Sequence, residues 1–288
     1  MRKRVIAIIV CACIFVLVIV LMVILYNRNQ MKNKIDVTSL KGVTIIDLEP
    51  IEYVELPSVL DNGAALTATG ISYNTNEDVF FIGNYGKATI DDSQFYPSII
   101  SMTQGFSCIN NVLHFDVGSI DVQGIAYDET NDSFWYTNGD SVINCSASNT
   151  RELSRFSLGK YSRYKANGIC IDTNDGSLWI LCMYKYLLHY DKEGILKSVF
   201  DCGYIGQDHI CMDSEGLLYI SSGVDYHGDN NYVICIDKEA NIKTIYRVKG
   251  SYAIEGILVL QNSLYVVNDG LYHEAEIRNN YIQIYNIP

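Results

Sequence analysis

A short phrase recurs along this chain: Gly70-Ile71-Ser72-Tyr73-Asn74, Gly124-Ile125-Ala126-Tyr127-Asp128, Gly168-Ile169-Cys170-Ile171-Asp172, His209-Ile210-Cys211-Met212-Asp213 and Gly256-Ile257-Leu258-Val259. Five to seven residues after each phrase stands an aromatic or aliphatic-aromatic pair: Phe80-Phe81, Phe134-Trp135, Leu178-Trp179, Leu218-Tyr219 and Leu264-Tyr265. Turn formers fill the interval, as in Asp172-Thr173-Asn174-Asp175-Gly176. Two short β-prone runs around a polar turn make a hairpin. The phrases are spaced by 54, 44, 41 and 47 residues, room for four short strands each, and four-stranded units at this spacing are propeller blades. No long segment of the body has the 3.6-residue apolar period of a helical repeat.

The last phrase leaves 32 residues before the C-terminus, too few for a whole blade. Residues 44–57 supply the missing strand, with Ile46, Leu48, Ile51, Tyr53 and Val54 in alternating character. The fold expected is therefore all-β, a five-bladed β-propeller over residues 44–288 whose N-terminal strand closes the final blade and removes its open edge. A six-bladed ring is the alternative if the long first period hides a partial blade.

Ahead of the repeats, residues 5–26 are 22 consecutive apolar residues without charge, Gly or Pro. As a helix they would extend about 33 Å, enough for a hydrocarbon core of roughly 30 Å. The run is longer than a cleaved signal's apolar region and ends without a small-x-small site, so residues 1–26 read as an uncleaved signal-anchor transmembrane helix and 27–43 as a polar stalk. Val10-Cys11-Ala12-Cys13 offers a lipoprotein-like alternative, opposed by the further apolar residues after Cys13. Basic residues flank the run on both sides, so charge bias barely orients it. A short tail before a long globular domain favours a single-pass cell-membrane protein with its N-terminus inside and the propeller on the outer face. Six of the 21 basic residues precede position 35 and no acidic residue does, so the body carries 15 basic against 33 acidic residues, a net of −18. Such a body repels phosphate backbones, which disfavours nucleic acid as a partner.

The residue before each phrase is Thr69, Gln123, Asn167, Asp208 or Glu255, and all five carry a side-chain oxygen. In a propeller the first strand of each blade lines the central channel, so equivalent positions form a ring. Asp208, Glu255, Asn167 and Gln123 make a candidate Ca2+ set, since calcium takes six to eight oxygens including carboxylates, amides and water. Thr69, Asp121 and His209 are expected to line the channel beside them. The other reading is that polar residues line any water-filled channel.

The anchor, the acidic body, the polar-Gly-Ile-x-Tyr/Ile-Asp phrases and the aromatic second strands resemble the SdiA-regulated (YjiK-like) propeller family, distant relatives of NHL-repeat proteins. The resemblance implies five blades, a calcium site on the channel and no established activity. That family places Glu-Gly at the start of several blades. Here only Glu255-Gly256 retains it, and Asp208 precedes His209 where Gly would stand.

The histidines His114, His189, His209, His227 and His273 show no metal-motif spacing and read as surface or packing residues, His209 alone lying beside a candidate ligand. Seven body cysteines without a C-x-x-C pair read as packing residues, with room for one disulfide. The polar residues ending the second strands, among them Asn84, Asn138 and Asp269, read as turn chemistry. The function expected is a membrane-tethered, extracytoplasmic binding module for an unknown ligand or protein at the channel mouth, steadied by calcium. The alternative is a calcium-dependent hydrolase of the lactonase or esterase type, with Asp208, Glu255 and Asn167 on the metal and His209 handling protons. A glycosidase would need a third channel carboxylate.

Overall fold

A computed structural model describes residues 35–288 of the protein apart from 90, 94, 107, 117–120, 184, 205, 224, 227–229 and 275–278. Two strands come first, β1 (Ile45–Leu48) and β2 (Pro50–Glu55). Blade I follows as β3 (Ala68–Asn74), β4 (Val79–Asn84), β5 (Ser98–Thr103) and β6 (Ile109–His114). Blade II is β7 (Ile125–Asp128), β8 (Ser133–Asn138), β9 (Ser141–Ser146) and β10 (Glu152–Ser157). Blade III is β11 (Ala166–Ile171), β12 (Leu178–Cys182), β13 (Tyr186–Tyr190) and β14 (Leu196–Asp201). Blade IV is β15 (Gln207–Met212), β16 (Leu218–Ser222), β17 (Tyr232–Ile236) and β18 (Ile242–Val248), and blade V begins with β19 (Ile254–Leu260), β20 (Ser263–Asp269) and β21 (Asn280–Asn286). The fold is a five-bladed β-propeller, and the five phrases are its five inner strands.

The long first period holds no extra blade. It is taken up by residues 85–97, which connect β4 to β5 outside the sheet. The N-terminal segment divides in two. Strand β2 pairs antiparallel with β21 and completes blade V, Val54 lying opposite Ile282. Strand β1 instead runs parallel to β18 and adds a fifth strand to blade IV.

The second-strand pair explains how the blades adhere. Adjacent residues of a strand point to opposite faces of its sheet, so the pair serves two interfaces. Phe80 packs against blade V with Val267 and Ile282, whereas Phe81 packs against blade II with Ile125 and Phe134. Trp135 faces blade III, Trp179 faces blade IV, and Tyr219 faces blade V. Five apolar clusters thus fill the five interfaces of the ring. No separate central core is needed.

Among the described residues no helix is long and apolar enough to cross a membrane. The run at 5–26 and residues 27–34 of the expected stalk lie outside the described residues, as does His227. Residues 35–43 rest on the propeller: Ile35 bridges to Tyr204, and Val37 is buried beside Cys202 and Tyr204. Six of the seven body cysteines are buried, Cys108 is exposed, and all seven are free thiols.

Candidate functional site

Propeller geometry brings the inner strands so close near the axis that the phrase glycines become obligatory. A Cβ on Gly124 would lie 2.3 Å from the carbonyl oxygen of Asn167 in the next blade, and one on Gly168 would lie 2.7 Å from the backbone nitrogen of Ile210. Gly256 meets Gly70 in the same way, at 3.1 Å. At the fourth blade the phrase begins with His209, whose side chain uses the space that the glycines leave. The Ile257 N–H donates to its Nδ1 at 3.4 Å, and its Nε2 lies 3.0 Å from the position of a Cβ on Gly70. His209 is 1% exposed, and burial lowers its pKa to about 4, so the ring is neutral.

This level divides the channel. Above it, a cavity of about 280 Å3 is lined by Thr69, Gln123, Asn167, Asp208 and Glu255, the five residues that precede the phrases. Below it, a second cavity of about 610 Å3 is lined by the residues that follow the phrase start, including Ile71, Ile125, Ile169 and Ile210. His209, expected from the sequence to line the channel, lines neither cavity; it is a buried crosspiece between them. Asp121 and Thr69 do line the upper cavity.

The upper cavity is electrostatically uneven. Asn167 donates through Nδ2 to Oδ1 of Asp208. Glu255 receives a hydrogen bond at 2.9 Å from Nε2 of His273, and the same nitrogen is 3.6 Å from Oδ1 of Asp269, beyond hydrogen-bond reach. Glu255, Asp269 and His273 place their ligand-capable atoms within 4.8 Å of one another. Asp208 interacts directly with Glu255. Burial, followed by the charge of Glu255, pushes the Asp208 carboxyl well above the usual range; burial, followed by Glu255 and Asp208, does the same to Asp269. Burial raises Glu255 to about 7. Oδ1 of Asp269 is buried without a hydrogen-bond partner.

Two of the four expected ligands, Asp208 and Glu255, therefore belong to one carboxylate cluster, with Asn167 attached to it. Gln123 directs its amide to Asp121 instead, and Thr69 donates to the Val122 carbonyl at 2.8 Å. The cluster's other members, Asp269 and His273, lie at the end of the second strand of blade V and just beyond it. Turn chemistry does account for Asn84, whose Oδ1 accepts the N–H groups of Thr67 and Gly86 at 2.7 and 2.9 Å. It does not account for the unpartnered Oδ1 of Asp269. Tyr226 stacks on the His273 ring at 4.9 Å and Tyr272 meets it edge-on at 5.0 Å, fixing the imidazole toward Glu255.

Three carboxylates around one wall, Glu255 and Asp269 buried and Asp208 half-buried, with no lysine or arginine paired to them among the described residues, can hold a cation or share protons. Carboxylates suit calcium, magnesium and manganese, and an imidazole extends the set toward zinc. An orphaned, buried Asp269 oxygen fits a cation there.

No family model matches the sequence, and no curated protein is similar to it. Among solved structures, the chain is similar to the glutaminyl cyclase of Myxococcus xanthus, with a TM-score of 0.61, 9% identity, and coverage of 86% of this chain and 100% of that one. It is also similar to regucalcin from Agrobacterium tumefaciens, described as a calcium-binding protein, with a TM-score of 0.50, 14% identity, and coverage of 85% and 97%. At these identities the likeness is one of fold, and the fold it shows is the β-propeller.

Proposed function

We propose that the protein is a membrane-tethered, extracytoplasmic propeller of the SdiA-regulated type that binds a divalent cation, calcium, at the upper mouth of its channel. The observation that carries this reading is the cluster of buried Glu255 and Asp269 with half-buried Asp208, and its unpartnered Asp269 Oδ1. Asp208, Glu255 and Asp269 would hold the ion with Asn167 at the side, and His273 would orient Glu255 from behind. Bound there, the ion would neutralise the carboxylates and present a Lewis-acidic face to the cavity. The calcium-binding regucalcin supports the ion by analogy of fold alone. The anchor at residues 5–26 supports a cell-membrane location with the body outside, and the net charge of −18 supports cationic or neutral partners over nucleic acid.

The test is metal analysis of the purified chain, with thermal melts in calcium and in chelator. About one calcium per chain and a melting temperature raised by calcium are expected, both lost in Asp269→Asn. A chain without stoichiometric metal whose melting is indifferent to calcium and chelator would end the reading.

A calcium-dependent hydrolase of the lactonase or esterase type is the second reading, favoured by the Glu255–His273 pair at 2.9 Å on the cavity wall. A carboxyl poised near neutrality can move protons in either direction. An ester and lactone panel decides this: turnover lost in Asp208→Ala supports it, and equal background rates in the two proteins remove it.

A further inference from the structure

The body has more than twice as many acidic as basic residues, so an exposed cation is readily met by a carboxylate. Eight lysines and arginines of the propeller indeed have one within 3.5 Å. Lys160, Arg163 and Lys165 have none among the described residues, and all three are exposed on one six-residue segment between β10 and β11. The segment is a 3-10 helix (Gly159–Tyr164) capped by Lys165. A trio of like charges without an ion pair, only Lys165 of which feels a carboxylate, Asp121, at longer range, calls for an explanation other than solubility in an acidic protein, because dispersal among the carboxylates would lower its energy.

The trio is also held in place. Tyr161 and Tyr164 of the same segment pack edge-on against Tyr186 of blade III, with ring centroids 5.2 and 4.8 Å apart. Lys160 lies over the Tyr161 ring at 5.1 Å and Arg163 over the Tyr164 ring at 4.8 Å. Such placement limits the rotamer freedom that a long cation loses on binding. Lys165 adopts a positive φ of 45°, a strained conformation for a side chain with a Cβ. The backbone secures it: the Lys165 N–H donates to Ser162 at 3.2 Å, and its carbonyl accepts from Met183 at 3.0 Å. A hollow of about 290 Å3 lies among Lys160, Tyr161, Arg163, Tyr164 and Tyr186. Lys165 itself lines the upper channel cavity.

We infer that this segment is an anion-binding arm, and that the ligand of the propeller carries a carboxylate or phosphate group that the arm receives beside the channel mouth. Arg163 supplies planar paired donors, and Lys160 and Lys165 supply point charges on either side. Because Lys165 stands on the lip of the carboxylate-lined cavity, a ligand gripped by its anionic end is positioned with its other end over the cation site. That second part rests on the channel reading above, whereas the arm does not.

Calorimetric titration of the full chain with inorganic phosphate and, separately, with glutarate tests the arm and distinguishes the two anion chemistries. Saturable binding to at least one is expected, weakening as sodium chloride is raised. The triple variant Lys160→Gln, Arg163→Gln, Lys165→Gln is expected to bind at least tenfold more weakly. Its melting temperature should stay near that of the wild type, since no ion pair is lost, and its calcium affinity should not fall, since the change only removes positive charge beside the cavity. Lys197→Gln, a cation change elsewhere on blade III, should bind the anion as the wild type does. Absence of saturable binding to either anion, or equal affinity in the triple variant, overturns the inference. Anion binding by a chain that takes no calcium would leave the arm intact and remove the channel reading.

Discussion

At the scale of single residues, the middle of the channel is governed by the difference between hydrogen and imidazole at one repeat position. Gly70, Gly124, Gly168 and Gly256 permit the strands to converge, and His209 fills the residual space. Its pKa is lowered from 6.5 to about 4, by burial above all. The unfolded chain therefore binds a proton between these values that the native protein does not, so this contribution to stability is present above pH 6.5 and is lost as pH falls through about 4. At about 1.4 kcal/mol per unit, the buried ring is linked to roughly 3 kcal/mol over that window. His209→Asn keeps an acceptor for the Ile257 N–H but cannot titrate. Denaturant melts of both proteins from pH 7 to pH 4 should show the stability difference moving by about that amount in favour of the variant. A constant difference would mean that the ring charges without cost. Beginning the fourth phrase with His rather than Gly is visible in the sequence, but its depth is not. A position next to a mouth residue and a position inside the axis are one residue apart, and only the convergence of five strands separates them.

At the scale of elements, the aromatic pair on each second strand is the most legible part of the fold, and the reason is geometric. The period of two along a strand sends one member of the pair back to the preceding blade and the other forward to the next, so a local pattern encodes a ring. Less legible was the division of residues 44–57. Alternation identified a strand, but β1 and β2 serve different blades, and a parallel addition at the edge of blade IV leaves no periodic mark of its own. The site was half visible for a related reason. Asp208 and Glu255 stand at a repeat position and can be aligned, whereas Asp269 ends a strand where turn-forming polar residues are ordinary, and His273 follows it outside the repeat. Closure by β2 carries a direct expectation. A chain beginning at residue 35 retains the strand and should melt cooperatively as a monomer. One beginning at residue 57 lacks both β1 and β2, exposes the edges of β18 and β21, and loses the Tyr53–Tyr281 stack, whose centroids are 4.9 Å apart. Those edges should drive association, read by size-exclusion chromatography. Equal monomer content in both chains would show that blades IV and V are stable without their N-terminal strands.

At the scale of the whole molecule, the acidic body and the buried carboxylates act together. A net charge of −18 on residues 35–288 raises the local concentration of cations, and the channel mouth concentrates the effect at Asp208, Glu255 and Asp269. Burial pushes all three carboxyls up, Glu255 to about 7 and the two aspartates above the usual range, and the charge of Glu255 adds to the shift of both aspartates. A carboxyl whose folded pKa is raised binds its proton more tightly in the native state, so its contribution is full below the unfolded value near 4.5 and is lost as pH rises through about 7. This slope opposes that of His209 between pH 4.5 and 6.5, so the total profile is flatter than either. Calcium separates them, because it competes with protons at the carboxylates alone. Binding should release protons and strengthen as pH rises from 5.5 to 7.5, and the calcium-induced rise in melting temperature should be larger at the higher pH. Calorimetry in two buffers of different ionisation heat measures the protons released. Glu255→Gln, which cannot exchange a proton, should flatten the pH dependence while weakening affinity. Calcium affinity independent of pH across this range in the wild type would place the ion elsewhere on the acidic surface, where carboxylates are already ionised, and would leave the buried cluster as a proton-sharing structural feature.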